Sequence, residues 1–374
     1  MKFDDSANKF SKIKIIGIGG AGNNAINTMI KKKLSGVKFI AVNTDAQALN
    51  SSLADIKLQI GKKLVKGFGA GGEPEIGRLS AEESEEDIKK SLDNTDVIFI
   101  TAGMGGGTGT GASSIIAKIA KENQILTIAI VTYPFIFEGK IRAENADKGI
   151  GELKNIVNAL VVIQNEKIKE QFTNLELYEA FQRTDFVLYN AAKTLSDIIN
   201  KNGYINVDLS DVRTVMSQMG YALIGLGFGE GENRAETAVQ EAISNPLIKN
   251  ISLSNSKAIL VNVTVGYDFK TIEFDKILSV IHSQANENTN IIEGLVFEKE
   301  MKNNMNIAII ATGLPEDDIS TQPIEHTIKE KSIEDEKSEI QLILKRIREC
   351  EKLSPAEKYE INKMPIITNT QDIN

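Results

Sequence analysis

Tryptophan is absent from this 374-residue chain, cysteine occurs once and histidine twice. A lone Cys350 excludes an intrachain disulfide. His282 and His326 lie far apart, so neither residue type has the spacing of a metal site. Cations are also in deficit: 43 Lys and Arg stand against 51 Asp and Glu, for a net charge of −8. Phosphate neutralisation needs clustered cations, so a nucleic-acid surface is not expected. The basic run Lys31-Lys32-Lys33 reads as a solvated helix end. No apolar run reaches the ~18 residues of a membrane span, and "MKFDDSANKF" has neither a hydrophobic stretch nor a cleavage site. The expectation is a cytoplasmic protein. Missing too is any Gly-x-x-x-x-Gly-Lys-[Ser/Thr], which excludes a P-loop.

The chain does have enough apolar residues for a core, 41% against 25% charged. Its length suits two domains with a tail. From Lys12 to Ile163 short apolar runs alternate with helix-length segments: "IKIIGI" (13–18), "VKFIAV" (37–42), "VIFI" (97–100), "ILTIAIV" (125–131) and "ALVVI" (159–163). Near-continuous β-branched runs are how parallel strands covered on both faces read. The pattern predicts a doubly wound, mostly parallel α/β domain over residues 12–174, after an N-terminal extension at 1–11. Leu175 to Asn200 holds no Gly or Pro and carries apolar residues at helical spacing. It predicts one long helix within 175–202, ending at Asn202-Gly203. A smaller α/β domain over 203–315 follows, from "ALIGLGFG" (222–229), "KAILVNVTVG" (257–266), "IIEGLVFE" (291–298) and "NIAIIATG" (306–313), with helices near 234–243 and 271–284. Residues 316–374 read as an acidic linker and tail, with "EIQLILKRIREC" (339–350) as a short amphipathic helix.

Two strand-to-helix junctions are glycine-rich. The first, Gly17-Ile18-Gly19-Gly20-Ala21-Gly22-Asn23-Asn24, fits a phosphate cradle at a helix start. It also fits a dinucleotide fingerprint, with Asp45 where a ribose-binding acid would sit. The second, Gly105-Gly106-Gly107-Thr108-Gly109-Thr110-Gly111, follows "VIFITAG" and leads into a helix expected to start near Ala112. Two such loops on one sheet can bracket a polyphosphate, and "GFGAGGEPEIG" (67–77) can close over it. Without a P-loop lysine, the phosphate charge must be met by amides, threonine hydroxyls and Mg²⁺.

"GGGTGTG", together with "GIGGAGNNA", "AVNTDAQAL", "GAGGEPEIGR", "PFIFEGKIR", "NVDLSDVRTVM" and "LVNVTVG", resembles the FtsZ/tubulin family over residues 12 to 313. The resemblance implies a GTPase that assembles head-to-tail with copies of itself and takes GTP/GDP with Mg²⁺ held mainly through the nucleotide. It implies that Gly20, Ala21, Gly22, Asn23 and Asn24 line the nucleotide, that Ala70 and Gly71 lie near the terminal phosphates, and that Gly107, Thr108 and Gly109 hold the phosphates. Glu138 and Arg142 would meet ribose and phosphates, with an i,i+4 ion pair as their plain reading. Phe181 would stack on the base. Asp185 would accept from guanine, whose edge carries two adjacent donors. Asn206, Asp208 and Asp211 would act on the neighbouring subunit's GTP, although alone "NVDLSD" reads as a capped helix start.

The chain departs from that family's pattern at Gln164, where Pro is usual before Asn165-Glu166-Lys167, and in "NAAKTLSDI" (190–198), where glycines are frequent. "EINKMPIITNTQDIN" lacks the usual apolar-and-basic terminal peptide, which leaves membrane-tethering division partners and placement at midcell open. A nucleotide-dependent filament protein with little turnover and an NAD-dependent oxidoreductase remain as alternatives.

Overall fold

The computed structural model describes residues 11–170, 176–201, 203–218, 220–244 and 253–315. All of them fall in one compact unit. The expectations for the N-terminal extension, His326, the 339–350 helix, Cys350 and the rest of the tail lie outside the described residues.

The first half runs β1 (Ile13–Ile18), α1 (Gly19–Lys31), β2 (Val37–Asn43), α2 (Ala46–Asn50), β3 (Ile56–Gln59), α3 (Pro74–Glu83), α4 (Glu85–Leu92), β4 (Val97–Gly103), α5 (Gly107–Glu122), β5 (Leu126–Tyr133), α6 (Lys140–Lys154), β6 (Ala159–Gln164) and α7 (Asn165–Glu170). Then come α8 (Leu177–Asn200), α9 (Leu209–Met216), β7 (Tyr221–Glu230), α10 (Arg234–Ser244), β8 (Ala258–Val265), α11 (Thr271–Gln284), β9 (Asn290–Phe297) and β10 (Asn304–Leu314).

The described strands join in one ten-stranded sheet in the order β3-β2-β1-β4-β5-β6-β7-β10-β8-β9. Pairing is parallel except where β10 runs antiparallel to β7 and β8. β6 and β7 meet at a single pair, Leu160 with Tyr221. The two halves are therefore joined by a minimal backbone seam. Ile16, Ile18, Ile98 and Ile100 face Ala112, Ile116 and Ile119 on one side of the sheet. Ile13, Ile15, Val97 and Phe99 face Ile26, Met29, Leu188 and Leu195 on the other. Burial on both faces is why these strands read as unbroken apolar runs.

β3 carries no such signal: "IKLQ" is a four-residue edge strand with one buried side chain. Expected helix starts also move. α3 begins at Pro74, inside the segment read as a loop to residue 77, and the fixed φ of Pro suits that first position. α1 begins at Gly19 and α5 at Gly107 rather than near Ala112. Glycines are tolerated in these first turns because α3 and α5 cross in contact there. A Cβ on Gly77 would lie 2.3 Å from Gly107 O, and one on Gly111 would lie 1.9 Å from Pro74 O. Only glycine permits that approach.

Candidate functional site

In an open α/β sheet the ligand crevice lies beyond the C-terminal ends of the strands, where strand order reverses. Here that point falls between β1 and β4, whose following loops are the two glycine-rich ones. Neither α1 nor α5 has a side-chain hydrogen bond capping its N-terminus. The first amides of both helices are therefore unclaimed by a side-chain cap at the positive ends of the two helix dipoles.

Contacts draw these pieces together. Gly19 adopts φ +70°, which glycine accommodates, and a Cβ on it would lie 2.9 Å from Gly109 N. Gly20 and Ala21 stand exposed on the first turn of α1 and Asn24 on the second, while Gly22 is buried. Asn23 is buried as well. In the amide orientation that satisfies its surroundings, Asn23 donates to Gly19 O at 2.7 Å and Gly17 O at 3.1 Å. Asn23 thus shapes the loop from behind. Ala70 is buried, and a Cβ on Gly107 would approach Ala70 Cβ to 2.9 Å and Glu73 N to 2.9 Å. A substitution at Gly107 would first strike the 70–73 loop. Gly71, at φ +60°, has open space around it.

The two threonines of the second loop have different jobs. Thr110 Oγ1 accepts from Gly105 N at 2.8 Å and braces the loop. Thr108 lies 2.6 Å, oxygen to oxygen, from Thr44 Oγ1. Glu138 and Arg142 form the expected ion pair, and Glu138 Oε1 also accepts from Phe135 N at 3.0 Å. Arg142 borders the 105–111 loop through its backbone, since a Cβ on Gly105 would lie 2.6 Å from Arg142 O.

On the far side of α1, Phe181 is 44% exposed and meets the buried Phe135 edge-on, with ring centroids 5.4 Å apart. Asp185 is largely shielded, its carboxylate accepting from Thr28 Oγ1 at 3.4 Å, and burial pushes its pKa up to about 6. Sequence reasoning missed Thr28, Thr44 and Phe135. Thr44 lay within the quoted "NTDAQAL", but a buried hydroxyl has no signature apart from its partner. Lys31, Lys32 and Lys33 stand exposed at the C-terminal end of α1, and Lys32 Nζ also sits 4.6 Å from the centroid of the Phe186 ring.

The three remaining residues stand apart. Asp208 caps α9 and exchanges hydrogen bonds with Asp211: Asp211 N donates to Asp208 Oδ1 at 2.9 Å, and Asp208 N donates to Asp211 Oδ2 at 3.0 Å. The box uses one oxygen of each carboxylate. Asn206 Oδ1 accepts from Gly203 N at 3.2 Å, and Tyr204 N donates to Leu295 O at 2.7 Å. This loop is pinned to β9, beyond the C-terminal end of α8.

Strand order alone leaves the dinucleotide reading standing. The acid of that reading, Asp45, caps α2 by accepting from Ala48 N at 3.0 Å through one carboxylate oxygen, and its backbone forms a bridge with Phe68. Among the described residues no group of three or more His, Cys, Asp or Glu converges as a metal site. None of the described helices is long and apolar enough to cross a membrane.

Comparison with known proteins decides the family. Residues 12–173 match the GTPase domain of the Tubulin/FtsZ family, and residues 220–315 match the FtsZ family C-terminal domain. The cell division protein FtsZ of Buchnera aphidicola subsp. Schizaphis graminum is 46% identical over 303 residues, 81% of this chain and 79% of its own length. That of Coxiella burnetii is 44% identical over 305 residues, with the same shares. Among solved structures, an empty FtsZ dimer of M. jannaschii superposes with a TM-score of 0.76 at 42% identity, covering 82% of this chain and 89% of its own. The GDP-bound CetZ1 monomer of Haloferax volcanii, at 20% identity and a TM-score of 0.71, shares the fold alone. These matches set the oxidoreductase reading aside, and the chain belongs to the FtsZ family as a GTP-binding GTPase of the cell-division cytoskeleton.

Proposed function

We propose that copies of this chain assemble head-to-tail and that each GTP is hydrolysed between subunits, with groups from both. One observation carries the reading: Phe181 and Asp185, read as the base-holding residues, lie in the first half of α8, whereas Asp208 and Asp211 follow its C-terminal end. At a rise of about 1.5 Å per residue, the helix from Asp185 to Asn200 spans roughly 22 Å before the 203–208 loop begins. Asp208 and Asp211 therefore act on a neighbour's nucleotide. A solved relative described as an FtsZ dimer supports self-association.

In this scheme the α1 start (Gly20, Ala21, Gly22, Asn23, Asn24) and the α5 start (Gly107, Thr108, Gly109) hold the phosphates. Ala70 and Gly71 cover their terminal end, Glu138 and Arg142 meet the ribose and phosphates, and Phe181 and Asp185 take guanine. Mg²⁺ would be held mainly through the nucleotide and would supply neutralisation of phosphate charge there, while the amides and hydroxyls of the two loops suit such a nucleotide. Asn206 holds the loop on which Asp208 and Asp211 orient water in line with the γ-phosphate, since phosphoryl transfer depends chiefly on positioning and charge stabilisation. Residues 12–174 form the nucleotide half, 175–202 the connector and 203–315 the assembly half. The protein works in the cytoplasm at the division site, and any tethering partner engages the tail.

The test uses Asp208→Asn and Asp211→Asn. Each should bind GTP at parental affinity when dilute yet lose turnover, and mixing either with a Thr108→Val chain should restore part of it. The parent rate per subunit should rise with protein concentration. A parental rate in Asp208→Asn, or a rate per subunit unchanged on dilution, refutes the shared site.

A further inference from the structure

Thr44, at the end of β2, is wholly buried, and its hydroxyl lies 2.6 Å from Thr108 Oγ1, in the first turn of α5. Two hydroxyls at this distance share one proton between their oxygens. Each carries one proton and can accept, so in the empty protein either order satisfies the pair. A phosphate oxygen removes that choice. An ionised polyphosphate offers the protein acceptors, so Thr108 must direct its single proton outward. It then keeps its contact with Thr44 only by accepting.

We propose that Thr44 is a positioning residue for GTP: its hydroxyl donates to Thr108 Oγ1 and so aims the Thr108 proton at the phosphates. The inference rests on the assignment of Thr108 to the phosphates made above. The resulting chain, Thr44 to Thr108 to phosphate, is a cooperative one in which each bond polarises the next. It lies in a dry setting, where an unmade hydrogen bond is costly.

Thr44 is held independently of Thr108. Asn43 Oδ1 accepts from Asp45 N at 3.2 Å, Asp45 caps α2, and Ala46 N donates to Gly67 O at 3.1 Å. The backbone at the end of β2 is thus stitched to the 67–73 loop. Deleting the Thr44 hydroxyl removes a proton donor without removing what fixes the chain.

The experiment measures GTP affinity of the dilute full chain for Thr44→Val, Thr44→Ser, Thr108→Val and the Thr44→Val/Thr108→Val double variant, with thermal unfolding of the nucleotide-free proteins alongside. Thr44→Val should weaken GTP binding about three- to tenfold, the size of one hydrogen bond. Thr44→Ser should remain within about twofold of the parent, and the double variant should bind no more weakly than Thr108→Val alone. Thr44→Ala carries the same expectation if the valine variant does not fold. Additive losses in the double variant, or equal losses for Thr44→Ser and Thr44→Val, overturn the proposal in favour of a packing role. Parental affinity in Thr44→Val, with Thr108→Val impaired, overturns the relay alone. Parental affinity in Thr108→Val overturns the phosphate assignment beneath it.

Discussion

Asp185→Asn separates what the carboxyl costs the empty protein from what it contributes to binding. Burial raises the Asp185 pKa from an ordinary 3.8 to about 6. At roughly 1.36 kcal/mol per unit, the ionised form is penalised by about 3 kcal/mol in the empty pocket. The folded value lies above the unfolded one. The carboxyl's contribution to stability is therefore fully present below about pH 4 and is lost as pH rises through 6. Asparagine has the same shape and no charge. The nucleotide-free variant should match the parent near pH 4 and become more stable by about 1–3 kcal/mol above pH 6.5, because asparagine still has an amide to desolvate. Chemical denaturation across that range reads this directly. In the proposed base site guanine reverses the sign: its two adjacent N–H donors would meet an acceptor-only carboxylate in the parent and an amide in the variant. GTP affinity should fall by about 1–3 kcal/mol in Asp185→Asn. Parental affinity should also weaken below pH 6, by up to tenfold per pH unit, as Asp185 takes up a proton. Phosphate titration affects both proteins alike, so the difference between their binding curves isolates the carboxyl. A stability gap that does not open between pH 4 and 6.5, or a variant that binds GTP like the parent, refutes the reasoning.

Gly77→Ala places a methyl 2.3 Å from Gly107 O and 3.0 Å from Thr108 Cα, which forces α3 away from α5. Denaturation should show a loss of about 1–3 kcal/mol, and nucleotide titration should show weaker GTP binding although Gly77 touches no ligand. Arg234 is buried between Glu273, at 2.8 and 3.1 Å, and Asp268, at 2.7 Å. Arg234→Met should cost about 3 kcal/mol by stranding the Glu273 carboxylate, with GTP binding unaffected in the folded protein. The hydrogen bonds from Arg234 hold the Glu273 carboxyl below its usual value. That stabilisation is present above the ordinary carboxylate range and lost as pH falls, so parent and variant should converge in acid.

Local chemistry made much of this protein legible. β1, β4, α8 and α11 could be read to within a few residues, because burial on two faces or a continuous helical stripe leaves a period in the sequence. β3 could not, since an edge strand buries too little to impose one. Both glycine-rich junctions were visible as strand-to-helix turns. Their spacing did not reveal that Gly77 and Gly111 serve helix packing, that Thr110 braces while Thr108 is paired with Thr44, or that Asp45 caps α2. Those assignments belong to the tertiary structure, because each depends on an atom brought from a distant part of the chain. The raised pKa of Asp185 is of the same kind: the sequence names a carboxylate, and the packing of α1 against α8 determines how hard it is to charge. A sequence specifies periodicities and residue chemistry. Which hydroxyl, amide or carboxylate is left facing the ligand is decided by the partners that folding brings to the others.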